Sequence, residues 1–146
     1  MRRITRSAVI ETSTEAFYAL VEDIESYPQF LPWCAAASVQ SRTPGKTVAT
    51  LALNMKGVRQ SFTTENVNVP GRSIEMRLLE GPFRHFAAEW RFHPLGEQAC
   101  KAEFSLEFEF SSGILAVALG PMFERMADET VEAFVRRAAR RGETAQ

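Results

Sequence analysis

The stretch "AEFSLEFEFSSGILAVALGPMFERM" (residues 102–126) contains two periodicities, one after the other. Up to residue 110, large apolar side chains alternate with glutamate and serine, as in a β-strand with one covered and one solvated face. After Ser111 or Ser112, either of which can cap a helix, apolar residues recur at helical spacing. The apolar face of this strand carries Phe104, Leu106, Phe108 and Phe110.

The same alternation continues back through the middle of the chain. Turn sequences such as "TPGK", "VPGR", "EGPF" and "PLGEQ" separate the alternating runs. With an additional strand at 3–11, the pattern predicts a seven-stranded antiparallel sheet with one apolar face. The six further predicted strands cover 34–43, 47–56, 58–68, 72–80, 84–94 and 99–111.

The last helix, about 113–140, is the only predicted element long enough to cover such a sheet. Its apolar stripe is wide for a lone helix, and Gly120-Pro121 should bend it. The stripe consists of Leu115, Leu119, Met122, Phe123, Met126, Ala127, Thr130, Val131 and Phe134.

Two short helices are predicted after the first strand, in "TSTEAFYALVEDIESYPQFLPWC". Thr12 and Glu15 have the spacing of a capping box. Pro28 disfavours helical geometry at the residue before it, so the first helix should end by about Ser26. Pro28 also suits the first turn of a second helix, which Pro32 would close after about one turn.

The composition is that of one soluble globular domain covering residues 1–146. Hydrophobic residues make up 45% of the chain and charged residues 24%. The net charge of −1 does not favour DNA or general nucleic-acid binding, so any electrostatic function must be local. Eleven phenylalanines predict either a well-filled core or an apolar cavity.

The two cysteines and the absence of a secretory segment favour the reduced cytoplasm. Cys34 and Cys100 are predicted to be buried thiols, although the sequence is also compatible with a disulfide between them. No apolar run approaches the roughly 20 residues that span a bilayer. The first residues already alternate, which indicates structure and not a removable transit peptide.

Three motifs carry a resemblance to a known family. They are "VEDIESYPQFLPWC" (21–34), "GPFRHFAAEWRFHPL" (81–95) and "FEF" (108–110). The order of elements resembles the α+β helix-grip, START-like (SRPBCC) fold, in which a curved antiparallel sheet wraps a long C-terminal helix. Within that fold, the motifs resemble the family that contains the coenzyme Q-binding proteins and the RatA-like ribosome-association toxins.

The resemblance implies a protein without a catalytic step or a cofactor. It implies that ubiquinone, or a similar isoprenoid lipid, is bound in an apolar cavity as a ligand and that respiratory electron transport is supported. The toxin-like members imply the alternative, binding of the large ribosomal subunit and blocking of subunit association. Fold alone does not decide between them. Other START-like proteins are enzymes, but no nucleophile–base pair or phosphate loop is visible here.

An isoprenoid-binding role predicts a set of lining residues, each of which also suits a packed core. The segment 27–33 would either plug one end of the sheet or form a stiff lid, with the Tyr27 hydroxyl facing a quinone carbonyl. The quinone tail would emerge at the inner membrane. The candidates are Tyr27, Phe30, Leu31, Trp33, Phe62, Met76, Leu78, Phe86, Trp90, Phe108, Phe110, Leu119, Met122, Phe123 and Met126.

Polar residues give weaker expectations. His85 and His93 should lie exposed on the face opposite the apolar one, and no metal-ligand spacing is present. Asp23 should hold the kink after the first helix by hydrogen bonding. The basic end of the last helix suits solvated arginines, anionic lipid headgroups or ribosomal RNA phosphate. Its residues are Arg136, Arg137, Arg140 and Arg141.

Overall fold

The computed structural model describes residues 2–55 and 57–144, with side chains up to residue 140. Its strands form one seven-stranded sheet in the order β1-β7-β6-β5-β4-β3-β2, and every neighbouring pair is antiparallel. The strands are β1 (Arg2–Ile10), β2 (Cys34–Thr43), β3 (Lys46–Met55), β4 (Val58–Val69), β5 (Ser73–Glu80), β6 (Phe83–Pro94) and β7 (Cys100–Phe110). The helices are α1 (Thr14–Glu22), a 3₁₀ helix (Ile24–Gln29) and α2 (Gly113–Thr144).

The strand register places the apolar residues on one face, as the alternation predicts. Phe86 lies opposite Phe108, and Leu51 lies opposite Phe62. Residues directly opposite in an antiparallel pair share a face, so these positions line a common inner surface. The predicted seven-stranded sheet and the single covering helix are confirmed.

The long helix α2 is held to the sheet by an aromatic cluster, called here the aromatic clamp, that consists of Phe83, Phe108, Phe110 and Phe123. The ring of Phe123 is fully buried, with its centroid 5.6 Å from Phe83, 4.9 Å from Phe108 and 5.2 Å from Phe110. Removing a buried phenylalanine typically costs about 3–5 kcal/mol, so this contact is a major anchor. The helix accordingly approaches the sheet most closely at β1 and β7.

Ion pairs along the outer edge of α2 add little to this anchoring. Arg2 pairs with Glu124, and Arg6 pairs with Asp128, both on the solvent side. Exposed pairs of this kind contribute about 0–1 kcal/mol. The rings of the clamp therefore contribute more to holding α2 than these ion pairs do.

The short helices differ from the sequence prediction in two details. The side chain of Ser13, not Thr12, caps α1 by accepting a hydrogen bond from the Ala16 amide at 3.2 Å. The second helix is a 3₁₀ helix that contains Pro28 and begins at Ile24. It begins before the predicted start at Pro28, because the turn at Asp23 forms without a proline.

That turn depends on two hydrogen bonds to Asp23. The Ser26 amide donates to the Asp23 carbonyl at 3.2 Å, and the Ser26 hydroxyl donates to the Asp23 carboxylate at 2.6 Å. The predicted structural role of Asp23 is thereby confirmed.

At its other end the fold agrees with the predicted cap. Ser112 Oγ accepts from the Leu115 amide at 3.2 Å, and α2 then continues through Pro121 as one helix. Among the described residues, no helix combines the length and the apolar character that crossing a membrane requires.

The turn between β5 and β6 requires glycine at position 81. A Cβ atom there would lie 2.6 Å from Phe62 Cβ, closer than real side chains approach. We expect Gly81→Ala to lower the free energy of unfolding by about 1–3 kcal/mol, as overpacking does. Urea denaturation measures the loss. Gly113→Ala is the control, since a Cβ atom added there meets nothing within 4 Å apart from its chain neighbours and its own helix backbone. Equal stability of the two variants would contradict the steric explanation.

Candidate functional site

The aromatic segment 27–33 packs on the C-terminal half of α2. The ring centroids of Tyr27 and Phe30 lie 5.5 Å and 5.0 Å from that of Phe134. The indole Nε1 of Trp33 donates to the Thr130 hydroxyl at 3.0 Å, and Leu31 is buried beside them. The segment therefore packs on α2, and Tyr27, Leu31 and Trp33 are part of the buried core. Its role as a lid over a ligand stays a prediction.

The hydroxyl of Tyr27 is not directed at a ligand. It donates a hydrogen bond to the carbonyl of Val21, within the buried corner between α1 and the 3₁₀ helix. Burial raises the pKa of Tyr27 far above its ordinary value. The hypothesis that this hydroxyl faces a quinone carbonyl is wrong, since the kinked chain uses the donor itself.

Most of the predicted wall residues meet in one cluster around the aromatic clamp. The Phe62 centroid lies 5.8 Å from Phe83 and 5.0 Å from Phe86, so the rings extend the clamp across β4 and β6. Leu119 and Met126 are buried on the facing side of α2. These residues therefore lie close together, as the sequence predicts. Their contact with a ligand stays a prediction.

Trp90 lies in a second aromatic cluster, away from the clamp. Its centroid is 4.9 Å from Phe104, 5.9 Å from Phe17 and 5.3 Å from Phe134. Phe17 and Phe134 were not among the site candidates, although both occupy apolar positions at helical spacing. Their spacing indicated burial but could not indicate which strand they meet.

Some inner-face residues are only half-buried. Met76 and Leu78 lie on β5 and Met122 on α2, and all three pack against the core while keeping accessible surface. Met76 lies opposite Asn66 of β4 and therefore on the covered side of the sheet. These three apolar residues are therefore covered less completely than the neighbouring Phe62 and Phe86.

Polar side chains also line the inner face, which the sequence analysis did not anticipate. Thr47, Thr64, Asn66 and Asn68 are buried on β3 and β4, and we call them the β3–β4 polar strip. Thr64 Oγ1 donates to Asn66 Oδ1 at 2.7 Å, and Asn68 Nδ2 donates to Thr47 Oγ1 at 3.1 Å. Alternation from the predicted wall residue Phe62 would have placed residues 64, 66 and 68 on the same inner face.

A surface cleft of about 530 Å³ lies where the aromatic segment meets the end of α2. Arg137 lies over the Phe30 ring, with its guanidinium carbon 5.1 Å from the centroid, and donates to Gln29 at 2.8 Å. Arg136 pairs with Glu132 at 3.2 Å, and Arg140 also lines the cleft. The predicted arginine group is therefore assembled, except that the Arg141 side chain lies outside the described residues.

The histidines lie on the outer face of the sheet, as expected. His85 Nε2 is 3.4 Å from Glu107, and His93 Nε2 is 3.6 Å from Glu103. Hydrogen bonds from Arg3 and His85 lower the pKa of Glu107. In the described part of the chain, no three His, Cys, Asp or Glu side chains group closely enough to hold a metal ion.

Both cysteines are free and buried, so the predicted thiols are confirmed over a disulfide. Burial raises the pKa of Cys34 to about 11 and raises that of Cys100 as well. Neither thiol is activated as a nucleophile at neutral pH, because a reactive cysteine needs a lowered pKa.

The curved sheet, the single long helix and the apolar interior define a START-like domain. Residues 10–135 match the family described as polyketide cyclase / dehydrase and lipid transport, and the chain belongs to this family. The crystal structure of the ZhuI aromatase/cyclase from Streptomyces sp. R1128 has the same fold, with a TM-score of 0.85. It is 19% identical and covers 96% of this chain and 94% of that one, which establishes the fold alone.

Two curated relatives carry different names. The ribosome association toxin RatA of Escherichia coli K12 is 40% identical over 138 residues, which are 94% of this chain and 87% of the toxin. The mitochondrial coenzyme Q-binding protein COQ10 homolog B of Xenopus laevis is 29% identical over 140 residues. That alignment covers 93% of this chain and 57% of the Xenopus protein. The family resemblance inferred from the three motifs is confirmed.

The hydrogen bond between Trp33 and Thr130 gives a stability prediction. Thr130→Val keeps the side-chain shape but leaves the buried indole N–H without its acceptor, which should cost about 1–3 kcal/mol. Chemical denaturation measures the loss. Thr130→Ser retains the hydroxyl and should stay close to the parent; a Val variant as stable as the Ser variant would show that the bond contributes nothing.

Proposed function

We propose that the protein binds ubiquinone, or a similar isoprenoid lipid, between α2 and strands β4 and β5, and performs no chemistry on it. The observation that carries the proposal is the incomplete burial of Met76, Leu78 and Met122 on surfaces that face the interior. Methionine adapts its shape to a ligand more easily than other apolar residues. The lipid-transport family and the coenzyme Q-binding relative support the same class of ligand.

Apolar burial is sufficient to drive such binding. Each methylene removed from water contributes about 0.8 kcal/mol, so a few isoprene units offset an association cost of about 4–15 kcal/mol. A long tail does not fit wholly inside a domain of 146 residues. We therefore propose that the head and the nearest isoprene units are enclosed, while the tail leaves beside β5 at the surface of the inner membrane.

A binding role without catalysis also agrees with the side chains of the described interior. Its buried polar residues are threonines and asparagines, which do not exchange protons near neutral pH. The buried Cys34 thiol and Tyr27 phenol keep their protons, because burial raises both pKa values. These groups can hold a ligand in place but supply no general acid or base.

Lipid binding gives a direct prediction for neighbouring residues of β5. Leu78 lies on the inner face, whereas Leu79 is 56% exposed on the outer face. We expect Leu78→Gln to weaken binding of decylubiquinone by about tenfold or more, because a buried amide without a partner is costly. Leu79→Gln is the matched control and should bind as the parent does.

Calorimetric titration measures these affinities, and mass spectrometry of the lipids extracted from the purified protein identifies the natural ligand. Absence of any bound isoprenoid, together with absence of heat on adding decylubiquinone to the folded parent, would overturn the proposal.

A second candidate function is association with the large ribosomal subunit. It is favoured by the 40% identity to a protein named ribosome association toxin, over nearly the whole of both chains. Three arginines of the cleft support it, because guanidinium groups bind phosphate in a bidentate manner. The cleft also contains Glu129 and Glu132, so a phosphate would have to displace the Glu132 carboxylate from Arg136.

Charge reversal in the cleft tests this second function. Arg136→Glu combined with Arg140→Glu should abolish co-sedimentation with purified large subunits, since binding to RNA phosphate depends strongly on charge and salt. Arg77→Glu combined with Arg91→Glu makes the same charge change on exposed residues of the sheet and should leave sedimentation intact. If both double variants sediment as the parent does, the cleft does not contact the ribosome.

A further inference from the structure

We propose that the β3–β4 polar strip is a head-group site inside the apolar interior and that it selects a ligand whose head carries a hydroxyl group. The inference rests on the proposed lipid-binding function. It assigns a binding place to the polar head of the ligand, which apolar wall residues cannot recognise. It predicts that the reduced quinol, and not the oxidised quinone, is the preferred ligand.

Asn68 provides the observation that points to a ligand. The residue is only 8% exposed, and its Nδ2 group already donates to Thr47 Oγ1 at 3.1 Å. Its carbonyl oxygen Oδ1 is buried without a hydrogen-bond partner among the described residues. A buried amide oxygen in this state is rare in folded proteins, and it is satisfied by whatever donor can reach it.

The neighbouring residues extend this acceptor into a site. Asn66 lies opposite Thr47 across the β3–β4 pair, so both strands contribute to one polar strip. Asn66 Oδ1 is occupied by the Thr64 hydroxyl at 2.7 Å, which leaves the Asn66 amide nitrogen as the donor of that carboxamide. The strip thus combines a free acceptor with a donor group two residues away on the same face of β4.

The pairing of β5 with β4 places apolar residues beside the polar strip. Leu78 lies opposite Thr64, Met76 opposite Asn66 and Ile74 opposite Asn68. Leu78 and Met76 are half-buried, whereas Ile74 is buried. An amphipathic molecule lying along β5 would therefore place its tail beside the half-buried Leu78 and its head at the buried Asn68.

The hydrogen-bonding chemistry of Asn68 Oδ1 determines which head group can bind beside it. An amide oxygen accepts hydrogen bonds and cannot donate them. A hydroquinone presents two O–H donors, whereas the oxidised quinone presents only carbonyl and ether acceptors. Placing a quinone oxygen against Asn68 Oδ1 would oppose two acceptors and leave both unsatisfied.

Anaerobic calorimetric titrations with decylubiquinol and decylubiquinone test this selectivity. The tails of the two probes are identical, so their affinity ratio isolates the head. We expect the parent protein to bind the quinol about 2- to 10-fold more tightly, which one net hydrogen bond can give. Asn68→Leu should abolish that ratio by weakening quinol binding while leaving quinone binding nearly unchanged.

Asn54→Leu, on the exposed side of β3, is the matched control and should preserve the ratio. If Asn68→Leu does not fold, Asn68→Ala removes the same oxygen with a smaller side chain. Equal affinity for both probes in the parent, a preference for the quinone, or a quinol preference that survives in the Asn68 variant would each overturn the head-group site. Failure of the parent to bind either probe would overturn the lipid-binding function as well.

Discussion

Phe123 packs against three rings of β6 and β7, and this contact anchors the N-terminal half of α2 to the sheet. The helix lies nearest to β1 and β7, at one side of the curved sheet. The inner faces of β4 and β5 are left with half-buried methionine and leucine and with a row of buried amides and hydroxyls. The same packing that stabilises the domain therefore creates the asymmetry that a binding site needs.

The aromatic segment 27–33 connects the interior with the outer surface. Phe30 packs on Phe134 from one side and carries Arg137 on the other. The arginine-lined cleft therefore shares Phe30 with the buried aromatic segment.

The fold could be predicted from sequence because its pattern is strictly periodic. Phe104, Leu106, Phe108 and Phe110 alternate with glutamate and serine, and no other structure places them on one face. The N-cap of α1 and the start of the 3₁₀ helix were harder to predict, because they depend on one hydrogen bond to Ser13 and two to Asp23.

The candidate site was predictable only in its apolar part. In "ENVNV" (65–69), the valines have the composition of buried positions, yet the structure buries Asn66 and Asn68 and exposes Val69. Alternation from Phe62 gives this orientation, but the side chains of Asn66 and Asn68 themselves carry no sign of burial. Polar residues that face inward resemble solvated ones until their partners are known.

Hydrogen–deuterium exchange with and without decylubiquinol tests the central claim, that the interior beside β4 and β5 receives the ligand. We expect slower amide exchange in peptides covering 58–80 and 113–126 when the quinol is bound. Protection confined to the peptides around 24–33 and 132–140, or no protection under conditions where the quinol is bound, would contradict it.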